Sequence, residues 1–314
     1  MPDKTNILIT GGAGYLGSIM VPMMLEKGYN VTVLDNFTFK QNSLAHVCSK
    51  GNFSISRGDI RDKELIKKLL RFNDVIVPLA ALVGAPLCAQ DPIGATSTNL
   101  DAQLFLLNEL SASQLVLMPI TNSGYGIGES GKLCTENTPL RPISLYGKHK
   151  VEVEEKLLTR ENSISFRLAT VFGMSPRMRL DLLVNDFTYR AVNDHAVILF
   201  ESHFKRNYIH VTDVSRVFLH GLDNFQQLKG EAYNVGLSDA NLSKWELCEV
   251  IKKFVPDFVF MNAPIGEDPD KRDYIVSNEK IEKTGFKPRY TLEDGINELI
   301  KGYQMIKNTI YTNI

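Results

Sequence analysis

Residues 6–17 read NILITGGAGYLG, and this stretch decides the fold. The first five residues form a short apolar run bounded by glycines, which is typical of a buried strand. An apolar stretch that reaches about Gly28 follows the glycines and predicts a helix. A glycine-rich turn between a strand and a helix brings backbone N–H groups close to a bound phosphate. The residues expected to bind a phosphate-containing ligand here are Gly11, Gly14, Tyr15, Leu16 and Gly17.

The next predicted strand is VTVLD, residues 31–35, and it ends on a carboxylate, Asp35, 18 residues after Gly17. A carboxylate at this place accepts hydrogen bonds from ribose hydroxyls and repels a 2′-phosphate. Asn36 follows it at the same strand end. Together with the glycine turn, Asp35 predicts a dinucleotide site that favours NAD over NADP.

The first half of the chain continues to alternate apolar runs with helical patterns. Further strands are predicted at residues 53–59, 74–81, 115–121 and 163–170, and helices at 63–72, 91–112 and 144–160. Val/Ile/Leu-rich strands separated by helices indicate a parallel sheet that is covered on both faces. With right-handed crossovers, the fold class is α/β with a doubly wound parallel sheet, the Rossmann arrangement.

Beyond Phe172 the pattern loosens, because prolines interrupt it and only short elements fit between them. We therefore expect residues 1–172 to form a nucleotide-binding domain and residues 173–314 to form a smaller substrate-binding lobe. Segments near Tyr208 and Val235 are expected to be shared between the two, with some of them returning to the first domain.

Composition excludes several classes of protein. Among 314 residues, 35 basic and 36 acidic side chains leave a net charge of −1, without the basic excess typical of nucleic-acid binding. The four cysteines have no C-x-x-C pair and the histidines no ligand spacing, so neither a disulfide framework nor a metal site is expected. No apolar stretch reaches the ~20 residues of a membrane span. These features favour a cytoplasmic enzyme with no membrane or nucleic-acid partner.

Two more strand ends fit the adenosine part of a dinucleotide. After the third strand, Asp59 is placed to meet an adenine amino group, and Ile60 to cover the ring. After the fourth strand, the small side chains of Leu79, Ala80 and Ala81 leave room for a cofactor. Because carboxyl ends of parallel strands meet at one edge of the sheet, these residues are expected to converge.

Tyr146 and Lys150 stand four positions apart near the start of the helix predicted at 144–160, so they share one face. A free tyrosine has a pKa of ~10 and is a poor base at neutral pH. A lysine ammonium and a positive nicotinamide ring close to the phenol lower that pKa. Tyr146 is therefore expected to take a proton from a hydroxyl group while hydride leaves the same carbon. Thr121, at the end of the fifth strand, is expected to bind the reacting oxygen, with Ser123 as a competitor for that role.

Other polar residues of the same helix have simpler interpretations. His149, between two lysines, is expected to be solvated, as is the charged run at residues 152–156.

These motifs resemble those of the extended short-chain dehydrogenases/reductases, in the sugar-nucleotide epimerase/dehydratase group, over nearly the whole chain. The resemblance rests on TGGAGYLG at 10–17, Asp35, GD at 58–59, LAA at 79–81, Asn99, TNSGYG at 121–126, E-x-x-P-x-x-P-x-x-x-Y-G-x-x-K at 136–150, RNYIHVTDV at 206–214 and DKRDY at 270–274.

The resemblance implies tightly held NAD, catalysis by Thr121, Tyr146 and Lys150, and oxidation at C4 of a nucleotide-linked sugar. It implies that Asn99 belongs to the cofactor site and that Arg206 and Arg272 clamp the substrate diphosphate, as arginine forks match phosphate oxygens. The segment 175–181 is a further candidate for the nucleotide pocket; within it, Arg177 and Arg179 are equally compatible with a solvated surface. The family also implies a homodimer that pairs the two long helices.

Three departures from the family pattern narrow the reaction. The Asp-Glu pair that follows the catalytic Thr in 4,6-dehydratases is replaced by Asn122 and Ser123, which disfavours dehydration. No basic residue follows Ala81, which weakens a simple UDP-hexose 4-epimerase. Pro78 stands where the family commonly has a histidine, a difference that concerns the packing of the fourth predicted strand and not catalysis.

Within the family, the chain is most similar to enzymes of capsule polysaccharide synthesis that act on GDP-linked sugars. We expect a 4-dehydrogenase of the GDP-manno-heptose type. The alternative is a nucleotide-sugar 4-epimerase, and a non-catalytic NAD-binding sensor is a third hypothesis.

Overall fold

A computed structural model describes residues 5–129, 131–266 and 271–306 of the chain. The strands in these ranges are β1 Asn6–Thr10, β2 Asn30–Asp35, β3 Phe53–Arg57, β4 Val75–Pro78, β5 Leu115–Thr121, β6 Leu133–Cys134, β7 Ser163–Leu168, β8 Thr170–Phe172, β9 Ala196–Leu199, β10 Lys205–His210, β11 Glu231–Val235, β12 Asn241–Ser243, β13 Val259–Asn262 and β14 Ile275–Val276. The helices are α1 Gly17–Glu26, α2 Lys63–Leu70, α3 Ala85–Gln90, α4 Pro92–Thr96, α5 Ala102–Glu109, α6 Leu145–Leu157, α7 Leu183–Asn193, α8 Val211–Asp223, α9 Phe225–Leu228, α10 Lys244–Lys252, α11 Glu279–Glu282 and α12 Leu292–Tyr303, with a π-helical turn Ser97–Asp101 and 3₁₀ turns Ala45–Val47 and Asn122–Tyr125.

Seven of the described strands form one parallel sheet in the order β3-β2-β1-β4-β5-β7-β11. The chain runs outward from β1 in one direction and then returns through β4 in the other. Thr10, the last residue of β1, is therefore flanked by Leu34 of β2 and Pro78 of β4. Ligands bind in such sheets at the carboxyl ends of the strands, where the order reverses. The predicted doubly wound parallel sheet is confirmed.

The sheet is buried on both faces, as its apolar strands predict. Along β1, Ile7 and Ile9 belong to one core cluster, which includes Met20 of α1 and Phe218 of α8. Leu8 points to the other face, into a second cluster built from α2, α5 and α6. Because alternate residues of a strand face opposite sides, an all-apolar strand requires a helical layer on each side.

The carboxy-terminal half is shared between the large sheet and smaller ones. The segment near Val235 is β11, which pairs in parallel with β7 and extends the large sheet. Tyr208 lies in β10, in a separate sheet with β8 and β12. The division into residues 1–172 and 173–314 stays a prediction.

The long helix predicted at 91–112 is present, with a π-helical turn within it and a slightly earlier end. It begins at Pro92, passes through the π-helical turn at Ser97–Asp101 and ends at Glu109, where Leu110 adopts an extended backbone. The helix predicted at 144–160 runs from Leu145 to Leu157, and the Ser144 side chain caps it by accepting from the N–H of Gly147. Within the described ranges, no helix combines the length and apolarity needed to cross a bilayer.

The expectation that His149 and residues 152–156 are solvated is wrong in part. His149 is buried, and Glu154 is buried in an ion pair with Arg167 at 2.9 Å. The reason is that α6 packs against β5, β7 and α5 together, so only part of its surface reaches water. A buried carboxylate is tolerated here because the Arg167 fork and the Ser165 hydroxyl both donate to it.

Candidate active site

A cleft with a volume of about 610 Å³ lies at the carboxyl ends of the central strands. This size is within the usual range of small-molecule sites. Most of the residues selected from the sequence line it, from both halves of the chain. They are Gly11, Gly14, Tyr15, Leu16, Gly17, Asp35, Asn36, Asp59, Ile60, Leu79, Ala80, Ala81, Thr121, Ser123, Tyr146, Lys150, Arg179 and Arg272.

The glycine turn forms the floor of the cleft at the amino end of α1. Gly11 has φ +69°, and a Cβ there would lie 2.7 Å from the backbone of Ala80. A Cβ on Gly17 would lie 2.3 Å from the carbonyl oxygen of Gly12. Side chains are excluded, so backbone N–H groups and the positive end of the helix dipole are left to face a ligand. This cradle fits the diphosphate of a dinucleotide.

Asp35 is held firmly beside the turn. One carboxylate oxygen accepts from the N–H of Ala13 at 3.0 Å, and the other from the N–H of Phe37 at 2.8 Å and from Gln41. Burial raises the pKa of Asp35, and these hydrogen bonds oppose the rise. Each carboxylate oxygen has more than one acceptor site, so the carboxylate can also accept from ribose hydroxyls.

Asp59 has a partner that the sequence reading did not include. Nε and Nη2 of Arg61 donate to its two oxygens at 2.8 Å each. This pairing lowers the pKa of Asp59 to about 2, so the group is an ionised acceptor at the adenosine end of the cleft. An adenine amino group would share that carboxylate with Arg61.

Asn99 does not line the cleft, although the resemblance placed it in the cofactor site. It is fully buried in the π-helical turn, where its amide oxygen accepts from the N–H of Leu82 and its amide nitrogen donates to the Leu82 carbonyl, both at 2.8 Å. Leu82 itself lines the cleft. Asn99 therefore fixes the position of the wall that follows β4.

Thr121 and Ser123 are joined, so the two candidates for binding the reacting oxygen act together. The Thr121 hydroxyl donates to the Ser123 hydroxyl at 2.9 Å and accepts from the Ser123 N–H at 3.1 Å. Nη1 of Arg272 also donates to the Ser123 hydroxyl. Ser123 thus connects the end of β5 to a cation from the far end of the chain. Asn122 between them is buried and does not line the cleft.

Lys150 lines the cleft but is only 4% exposed, and its Nζ donates to the carbonyl oxygen of Pro119 at 3.0 Å. Burial lowers the pKa of this amine to about 8. Most of the lysine is therefore still charged at neutral pH, and its position is fixed by the main chain of β5.

Burial of the phenol is the main influence on the pKa of Tyr146. Burial raises it to about 12, and the charges that oppose the rise are those of Arg179 and Arg272. The expected lowering of this pKa requires a bound nicotinamide ring as well as Lys150, and it stays a prediction. The amine of Lys150 donates to the carbonyl of Pro119, and the charges that lower the pKa of Tyr146 in this structure are those of Arg179 and Arg272.

The three arginines assigned to the substrate are in different positions. Arg179 lines the cleft and donates through Nε, at 3.2 Å, and Nη2 to the two oxygens of Asp181. Arg272 lines it beside Ser123. Arg206 does not line it; this residue is 3% exposed, and its guanidinium carbon lies 5.6 Å from the ring centre of Tyr274. Since Tyr274 is part of the wall, Arg206 supports the cleft from behind. In the DKRDY motif, Asp270 lies outside the described residues.

Sequence reasoning missed part of the wall. The loop at residues 82–85, together with Thr38, Phe39 and Gln41, lines the cleft. So does Arg177, for which the sequence left a solvated surface equally open. Position was the available signal for residues 82–85, which directly follow a predicted strand, whereas Arg177 lies seven residues beyond the predicted strand at 163–170.

Comparisons with known proteins agree with this site. Residues 7–236 match the family described as the NAD dependent epimerase/dehydratase family. A putative UDP-glucose 4-epimerase from Methanocaldococcus jannaschii is 28% identical over 308 residues, covering 94% of this chain and 97% of that protein.

Two solved structures are similar along the whole chain. A dTDP-glucose 4,6-dehydratase from Bacillus anthracis in complex with NAD has a TM-score of 0.82 at 25% identity, covering 98% of each chain. A UDP-glucose 4-epimerase from Thermotoga maritima with UDP-glucose has a TM-score of 0.83 at 25% identity, covering 96% of this chain and 99% of that one. The chain is thus an NAD-dependent enzyme and belongs to the NAD dependent epimerase/dehydratase family of extended short-chain dehydrogenases/reductases.

Proposed function

We propose that the protein oxidises the C4 hydroxyl of a nucleotide-linked sugar, with Tyr146 as the base. One observation carries this proposal: Thr121 at the end of β5, and Tyr146 and Lys150 in the first half of α6, line the same cleft as the glycine turn. NAD held by the glycine turn and Asp35 would supply the hydride acceptor.

Side chains of the protein hold the sugar hydroxyl in place and accept its proton. The Tyr146 phenolate takes it from the sugar hydroxyl, and the joined hydroxyls of Thr121 and Ser123 hydrogen-bond the reacting oxygen. Because burial raises the pKa of Tyr146, positive charge near the phenol is required. Arg179 and Arg272 supply part of that charge, and Lys150 is held on the same helix face.

The same two arginines are suited to the substrate diphosphate. Arg179 and Arg272 both line the cleft, and a guanidinium group can bind two phosphate oxygens at once. Diphosphate binding and the acidity of Tyr146 would then be coupled through the same charges.

A 4-keto sugar can be reduced again to the inverted sugar, or it can be released as the ketone. The 4-epimerases among the named relatives favour the first outcome. UDP-glucose 4-epimerases among them support return of the hydride to the opposite face of a UDP-linked sugar. Release of the ketone by a GDP-manno-heptose type 4-dehydrogenase rests on the sequence resemblance alone. Dehydration is not supported, because the acidic residues of the described wall are Asp35, Asp59 and Asp91, which lie on the adenosine side. A homodimer formed through α5 and α6 and a cytoplasmic location remain part of the proposal.

The test is to mix the purified enzyme with UDP-, dTDP- and GDP-linked sugars and to follow the absorbance of reduced nicotinamide. Tyr146→Phe should lower the rate of oxidation by at least ~100-fold while NAD still binds. Tyr29→Phe is the matched control, because Tyr29 lies between α1 and β2, outside the cleft wall. Full activity in Tyr146→Phe would refute the assignment of the base.

Product analysis separates the outcomes. An inverted sugar by NMR indicates an epimerase, and a ketone with reduced nicotinamide indicates a dehydrogenase. If NAD binds and no nucleotide sugar is oxidised, the sensor hypothesis replaces both.

A further inference from the structure

Two loops from different parts of the chain meet across the cofactor end of the cleft. Phe39 follows β2, and Arg177 follows β8. The guanidinium carbon of Arg177 lies 4.1 Å from the centre of the Phe39 ring, which is a close cation–π stack. Both residues line the cleft together with Gly14 and Asp35. Neither has a role in the proton and hydride chemistry proposed above.

The Arg177 side of this contact is rigid, because its loop is bonded to the glycine turn. The Tyr15 hydroxyl donates to the carbonyl of Gly173 at 2.7 Å, and the Ser175 hydroxyl donates to the carbonyl of Tyr15 at 2.8 Å. The N–H of Arg177 donates to the Ser18 hydroxyl, in the first turn of α1. The backbone of Arg177 therefore lies at the helix end where the diphosphate is expected.

The Phe39 side has the features of a movable cover. Phe37 and Lys40 have φ values of 55° and 52°, a region that residues other than glycine rarely adopt. The turn is closed by a bond from the Lys40 N–H to the Phe37 carbonyl at 2.9 Å. Phe39 is 45% exposed, whereas Arg177 is 4% exposed. The strained, exposed loop is the partner that can move.

The charge of Arg177 suits an anion in the groove. Burial lowers the pKa of its guanidinium, and Arg179 nearby does the same, while Asp181 and Asp35 raise it. A buried cation at the amino end of a helix, where a dinucleotide diphosphate must lie, gains from phosphate oxygens.

We propose that Arg177 and Phe39 form a bridge over the adenosine half of the cofactor groove. Arg177 binds the cofactor phosphates from above, the Phe39 ring covers the guanidinium, and the tip of the loop at residues 38–40 moves aside before NAD enters or leaves, while Phe37 and Gln41 stay bonded to Asp35. The bridge slows cofactor exchange, so the nucleotide stays bound through many turnovers. This inference needs only NAD binding and does not depend on which sugar is the substrate.

The experiment measures association and dissociation rate constants of NADH, without any sugar, by stopped-flow fluorescence on cofactor-depleted full-length protein. A gate limits both directions, so Phe39→Ala should raise both rate constants by about 10-fold and change Kd by less than about 3-fold. Arg177→Ala should raise the dissociation rate constant by at least about 10-fold and also weaken Kd, because a phosphate contact is lost. Arg177→Lys keeps the charge and should preserve Kd better than Arg177→Ala.

The double variant tests whether the two residues act as one unit. Its dissociation rate constant should match that of Arg177→Ala, whereas independent residues would give the product of the two effects. Phe72→Ala and Arg190→Ala are matched controls, because both are exposed side chains outside the cleft wall, and they should leave every constant unchanged. Unchanged rate constants in Phe39→Ala, or an increase in dissociation alone, would overturn the gate. Multiplicative effects in the double variant would overturn the bridge.

Discussion

The cofactor half and the substrate half of the cleft are built in different ways. Most of the cofactor half comes from residues at or just after the ends of β1, β2, β3 and β4, within the first 81 positions of the chain, and Asp91 and Arg177 are added from later segments. The substrate half joins groups that are remote in sequence; Ser123 and Arg272, which are hydrogen-bonded, are 149 residues apart. A parallel sheet brings every strand end to one edge, so the first half follows from topology. The second half depends on the paths of irregular loops, which topology does not determine.

The largest expected effect tests the cofactor half. Gly11→Ala places a Cβ against the backbone of Ala80, so the turn and β4 must move apart. Affinity for NAD should fall by about 100-fold or more, because strain and displacement of this size cost several kcal/mol. Titration of NADH fluorescence measures the loss.

Gly28→Ala is the control for this change. Gly28 also has a positive φ, +88°, but a Cβ there would meet no atom within 4 Å. It should cost about 1 kcal/mol of stability and leave NAD affinity unchanged. Equal loss of affinity in the two variants would show that backbone strain, and not the close approach to β4, is what matters.

An intermediate effect is expected in the substrate half. Arg179→Ala removes a cation that faces the cleft, so KM for the nucleotide sugar should rise by about 10- to 100-fold while Kd for NAD stays the same. The same change raises the pKa of Tyr146 further, so the pH at which oxidation becomes fast should also move upward. Steady-state kinetics across pH measures both effects, with Arg190→Ala as the control. An unchanged KM would show that Arg179 does not bind the substrate.

The smallest effect concerns Lys150, which lies between the halves. Its folded pKa, about 8, is below its ordinary value of 10.5, so the unfolded chain binds more protons between those pH values. Burial therefore destabilises the fold at and below about pH 8, and this cost disappears as pH rises toward the unfolded value.

Lys150→Met should accordingly stabilise the cofactor-free protein by about 2 kcal/mol near neutral pH, after allowance for the lost bond to Pro119. The gain should vanish near pH 10.5. Urea unfolding at several pH values measures the difference. A gain that is independent of pH would show that packing, and not proton binding, causes it.

The difference between the cofactor half and the substrate half also explains which site residues could be predicted from the sequence. The glycine turn, Asp35, Asp59 and residues 79–81 all reach the cleft, since each was identified by its place after a strand. The i, i+4 spacing of Tyr146 and Lys150 correctly predicts a shared helix face.

The remaining features depend on three-dimensional surroundings that the sequence does not contain. Asn99 is bonded to Leu82 because a π-helical turn aims it there, and Arg206 is covered by Tyr274. The pKa of Tyr146 rises because several segments bury it together, and spacing along one helix carries no information about that burial. Glu154 is buried for the same reason, by elements that are distant in sequence.

The hydrogen bonds of the Tyr15 hydroxyl limit how far the cleft wall can move when a substrate enters. This hydroxyl is bonded to Gly173 and Asn185, and the hydroxyl of Tyr303 in the last helix donates to the Asn185 carbonyl. These bonds lie in the interior and connect the start of α1, through Asn185 of α7, to α12. A motion that separates α1 from α7 would break several of them at once. We therefore expect the part of the cleft wall around Tyr15 to keep its shape while a sugar is exchanged.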